Sequence, residues 1–163
     1  MESLFLNLAK ILKKQNQTIT ELLDAAMEHN LALRKNDTVA VLATAYKQEE
    51  LSRKLKEQDK KREETQKKLA SQYGLGERPS LNMLLTHASK KAARDLSELS
   101  HSLKESLQQV SEIKNLNNIL ARRGQIMSEQ LLRMLRPKSG STYMGSGKIK
   151  NRDKLLSLVD RTI

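Results

Sequence analysis

Residues 90–135 read KKAARDLSELSHSLKESLQQVSEIKNLNNILARRGQIMSEQLLRML, and these forty-six positions decide the fold. The stretch holds no proline, and its only glycine is Gly124. Leu96, Leu103, Val110, Asn117, Gly124 and Leu131 recur every seven residues, and Leu99, Ser106, Ile113, Leu120, Met127 and Met134 form the interleaved series. Nine of these twelve positions are apolar, and the steps between them alternate three and four. That spacing draws one stripe along a long helix, a seam of the coiled-coil kind that must bury itself against other helices. At 1.5 Å rise per residue an unbroken helix of this length spans about 70 Å. It is the spine of the chain.

Composition points the same way. There are 28 leucines against four valines and one phenylalanine. Strands favour β-branched and aromatic side chains, so a sheet is disfavoured. With 37% apolar, 30% charged and 2% aromatic residues over 163 positions, the chain reads as one domain of long helices with a narrow core. The fold class is all-α: an elongated antiparallel bundle or coiled coil of three long helices plus a short one, with a flexible C-terminal tail. The bundle is expected over residues 1–136, and a flexible basic tail with a short amphipathic segment over 137–163.

The first helix is expected from about Glu2 to Leu33. Leu4, Leu8, Ile11, Leu22, Ala25 and Ala32 line one stripe, which Phe5, Leu12, Ile19, Ala26 and Leu33 widen and polar Gln15 and Thr18 thin midway. Asn36-Asp37-Thr38 supplies a turn, with Asn36 or Asp37 able to cap the next helix. So short a connection folds the second helix back antiparallel. That helix carries Val39, Leu42, Ala45, Tyr46, Leu51 and Leu55. From Lys56 to Lys68 it then has no apolar residue, and ten of the thirteen positions are charged. Helix exposed all round and overhanging the bundle is expected there, before Leu69 and Tyr73 return to the core. Gly74 suits a left-handed C-terminal cap and Pro79 forbids continuation. Ser80 can cap a short helix through Leu81, Leu84 and Leu85.

The formal net charge is +11, and seven Lys/Arg against two Asp from Arg136 onward put +5 on the last 28 residues. Such a surplus fits nucleic acid or an anionic membrane. It equally fits a solvated tail, and three tyrosines with one phenylalanine offer few platforms for single strands, which favours solvation. The absence of cysteine excludes disulfides and thiolate metal sites and suits a reducing compartment. The opening MESLFLNLAKILKK is too short and interrupted for a signal peptide or membrane span.

Catalytic chemistry is not visible. His29, His87 and His101 form no ligand set, so no metal or other cofactor is expected. Gly145-Ser146-Gly147-Lys148 lacks the first glycine, the Ser/Thr and the preceding strand of a phosphate loop. The chain does not read as an enzyme. Asn117 and Gly124 interrupt the seam at consecutive equivalent positions, with Asn115 and Asn118 flanking. A buried seam asparagine fixes register or partner number, and glycine permits close helix approach. Register and packing on one hand, and a groove for a third party on the other, both remain open. Met127 and Met134 stand beside Leu131, Leu132 and Leu135 at the spine's end, where methionine serves core filling or an adaptable surface.

Three groups of residues resemble the FlgN-type flagellar export chaperones. They are Ala32-Leu33-x-x-Asn36-Asp37 with Leu42 and Glu49-Glu50-Leu51; Asn115-x-x-Asn118 with Leu131-Leu132-x-Met134-Leu135-x-Pro137 and Tyr143; and the closing segment from Leu155 to Ile163. The resemblance covers nearly the whole chain, and the run from Asn115 to Tyr143 is its most specific part. It implies a cytoplasmic chaperone of flagellar type III secretion. Such a chaperone binds C-terminal helical segments of the hook–filament junction proteins (FlgK- and FlgL-like) and delivers them to an FlhA-like export gate protein. In this family a tyrosine after the spine is associated with gate docking, which falls on Tyr143. Helix-in-groove recognition then assigns client binding to Met127, Leu131, Met134, Leu135, Leu155, Leu156, Leu158 and Val159. The competing readings are a basic coiled coil that holds nucleic acid or membrane through its tail, and a homo-oligomerisation module.

Overall fold

The computed structural model describes residues 2–76 and 79–135, and all four elements in them are helices. Residues 1–123 form one compact unit, and a second begins at Gly124. The tail expected over 137–163 lies outside the described residues.

Helix α1 runs Glu2–Lys35 and buries Phe5, Leu8, Leu12, Ile19, Leu22, Ala25, Ala26 and Ala32 along the expected stripe. Asn36 then takes φ 53°, and the Asp37 N–H donates to the Ala32 carbonyl at 3.0 Å. Asparagine tolerates this left-handed conformation better than most side chains. Asp37 caps α2 (Thr38–Tyr73), its carboxylate accepting from the Ala40 N–H at 3.0 Å. The reversal is antiparallel: Lys47 meets Glu28 at 2.9 Å near the turn, and Gln58 Nε2 donates to Thr18 Oγ1 at 3.0 Å farther along.

The charged stretch of α2 corrects one expectation. Residues 56–68 are helical but not exposed all round, since Thr65 is buried and Gln58, Asp59, Arg62 and Gln66 are half-buried. The reason is that α1 presents a polar layer at the same level. Gln15 Nε2 donates to Asp59 Oδ1 at 3.4 Å, and Thr18 accepts from Gln58. Asp59 also holds Arg62 at 2.6 Å. Polar side chains pack inward here because each finds a polar partner. Gln15 and Thr18 therefore do not thin the buried face; both are buried within it.

At the end of α2, Gly74 adopts φ 65°, and its N–H and that of Leu75 reach the Ala70 carbonyl. Helix α3 (Leu81–Leu85) is capped by Ser80, whose hydroxyl accepts from the Met83 N–H at 3.3 Å. Its Leu84 is fully buried. Helix α4 occupies Lys90–Leu135, the whole of the quoted stretch. It runs parallel to α1, because Asn16 donates to the Leu99 carbonyl at 2.9 Å and Asn30 meets Asn117 fourteen residues later in α1. Both series of the seam from Leu96 to Leu120 are buried or half-buried.

The core of this unit has two apolar clusters. One joins Phe5, Leu8, Leu12, Leu69, Leu84 and Leu96; the other joins Leu22, Ala25 and Leu51, with Val110 packed against them. Burying each such leucine contributes roughly 1.5–3 kcal/mol. No helix among the described residues is long and apolar enough to cross a membrane.

Candidate functional site

The last three turns of α4 carry the apolar surface that the seam leaves uncovered. From Gly124 to Leu135 every residue is exposed. Met127, Leu131 and Met134 stand at i, i+4 and i+7, so they share one face, and Leu135 widens it. Leu131 is 51% and Met134 80% exposed. A soluble chain rarely leaves large apolar side chains gathered in water this way. Ile126 and Leu132 are exposed as well, on other sides of the same turns. Ile126 belongs to neither seam series and was passed over; Leu132 was named as a neighbour of the two methionines.

The four positions named for register and packing sit differently from one another. Asn117 is buried, accepting from Asn30 Nδ2 at 2.8 Å and donating to the Ala26 carbonyl at 2.9 Å. Asn115 and Asn118 are exposed. A Cβ built on Gly124 meets nothing within 4 Å, so no close approach of backbones requires glycine there. Asn30 is the partner that the sequence reading missed; its place four residues after buried Ala26 was the available signal. Tyr143, Leu155, Leu156, Leu158 and Val159 lie outside the described residues.

Each histidine has a neighbour of its own. His29 Nδ1 lies 2.8 Å from Thr44 Oγ1, His101 lies 3.3 Å from Glu105, and the His87 ring stacks on Tyr73 with centroids 4.5 Å apart. No group of three or more metal-ligating side chains gathers among the described residues. Arg94, on the exposed side of α4, is held above its ordinary pKa by its hydrogen bond to Glu98 and by that carboxylate's charge. That is surface electrostatics between two exposed side chains. What the end of α4 offers is exposed apolar area, with Met127, Leu131 and Met134 on one face.

The sequence model of the FlgN protein family matches residues 1–151, which takes in all four helices. No curated protein and no solved structure matches the chain.

Proposed function

The chain belongs to the FlgN family, which makes it a flagellar export chaperone, and from that premise we propose that its clients are the hook–filament junction proteins. In this reading it receives their C-terminal helical segments in the cytoplasm and delivers them to the export gate. The observation that carries the proposal is the exposed face of Met127, Leu131, Met134 and Leu135. An amphipathic helix laid on such a face gains apolar burial that the free chain lacks. Leu155, Leu156, Leu158 and Val159 supply a second set of apolar contacts. Tyr143 serves the gate.

The test replaces Leu131 and Met134 by aspartate in the full chain and measures affinity for a junction-protein C-terminal segment. Both side chains are exposed, so circular dichroism stays unchanged, while affinity falls by about 100-fold or more, a fair loss for two desolvated charges. Undiminished affinity in that variant removes this surface from client capture. Binding that weakens steeply with salt in the parent chain favours contacts made by the basic tail instead.

A further inference from the structure

A second recessed surface lies wholly within residues 1–123, between α2 and α4. Gln15 and Ile19 of α1 form its floor, and Leu55, Leu103 and Leu107 line its walls. Lys56 stands on one lip and Lys104 on the other. We propose that this groove seats one helix of a partner protein, apolar on the face turned inward and acidic along both flanks, lying over α1 as a fourth helix of the bundle. The proposal does not depend on the surface at the end of α4.

Three observations carry it. The walls come from two antiparallel helices and the floor from a third, so the recess runs open to the surface between helices, where a further helix packs by ridges and grooves. Leu107 is 45% exposed at its edge although Leu55 and Leu103 beside it are half-buried, so an apolar strip continues from the core onto the surface. In the floor, Gln15 is 2% exposed, yet its Oε1 receives no donor, while its Nε2 is spent on Asp59. A hydroxyl or amide donor on the incoming helix satisfies that oxygen, and a buried acceptor without a donor is otherwise costly.

The rim selects the charge. Asp59 is neutralised by Arg62 at 2.6 Å, whereas Lys56 and Lys104 form no ion pair among the described residues. Glutamates along the flanks of the incoming helix meet these two ammonium groups, which governs encounter and rejection more than raw affinity. A second copy of this chain, at +11, brings the wrong sign. Nucleic acid finds no aromatic side chain in the lining on which to stack.

The probe is a synthetic peptide of about sixteen residues, long enough for four helical turns, with leucines at i, i+3, i+4 and i+7 and glutamates on both flanks. It is titrated into the isotope-labelled full chain. Amide resonances of Leu55, Leu103 and Leu107 and the Gln15 side-chain amide are expected to move. Leu107→Asp, and Lys56→Glu combined with Lys104→Glu, are each expected to weaken binding about tenfold or more with helicity intact. Leu131→Asp leaves it unchanged, which separates this groove from the client surface. The proposal is overturned by any of four results: no binding at about 1 mM peptide, equal binding of a lysine-flanked peptide, perturbations confined to Gly124–Leu135, or the same groove resonances moved by a single-stranded RNA oligonucleotide. Self-association that protects the groove, seen by sedimentation over a range of concentrations, overturns it as well.

Discussion

Asn30 Nδ2 donates to Asn117 Oδ1 at 2.8 Å, and both side chains are at least nine-tenths buried between α1 and α4. The pair is closed on itself, because Asn117 spends its own amide on the Ala26 carbonyl. Only one axial alignment of the two helices allows all of this at once. Asn117→Ala leaves the Asn30 amide without its acceptor and is expected to cost about 2 kcal/mol in urea unfolding. Replacing both asparagines by leucine restores stability but frees the alignment, as buried polar pairs in helical seams imply. A single set of amide resonances in the double variant, with unchanged α1–α4 neighbours, would show that the pair does not set register.

Leucines of the two units should respond to very different degrees. Leu69→Ala and Leu96→Ala each empty a site with 0% exposure and are expected to cost about 2–5 kcal/mol. Leu131→Ala, at 51% exposure, is expected to stay within about 0.5 kcal/mol. Denaturant midpoints read at a constant slope decide it.

Gly74 and Gly124 both face open space, with nothing within 4 Å of an added Cβ, yet alanine should act oppositely at the two. At Gly74 the backbone is left-handed, φ 65°, so alanine is strained and costs about 1 kcal/mol. At Gly124 the backbone is helical, so alanine gains up to about 1 kcal/mol of helix propensity. Thermal melts followed at the helix band measure the first. Amide exchange in the last turns of α4 measures the second.

Tyr143→Ala separates gate docking from client capture. Client affinity in solution should match that of the parent chain, while secretion of the junction proteins from cells carrying the variant falls. Normal secretion by the variant removes Tyr143 from gate docking.

The sequence carried the helix boundaries because their signals are local: Asp37 and Ser80 as caps, Gly74 as a left-handed stop, and a proline-free stretch from Lys90 to Leu135. Residues 56–68 misled because a stretch without apolar side chains and with charges spaced for i,i+4 pairs has the pattern of a helix wet on every side. The heptad does continue, through Leu51, Leu55, Gln58, Arg62, Thr65 and Leu69, and the inward side chains merely change from apolar to polar. Periodicity of position survives where periodicity of hydrophobicity fails. Asn117 was visible as an anomaly of the seam, but its partner was not, since a hydrogen bond between helices eighty-seven residues apart leaves no local trace. The face of Met127, Leu131 and Met134 was readable as a stripe; that it stays exposed depends on what the other helices cover.

The polar layer of Gln15, Thr18, Gln58 and Asp59 sits between the two apolar clusters, and three carbonyl oxygens at that level, on Gln15, Asn16 and Gln58, lack donors. An acceptor buried without a donor costs about 1–3 kcal/mol, so this level gives back part of the stability that the leucines on either side of it contribute.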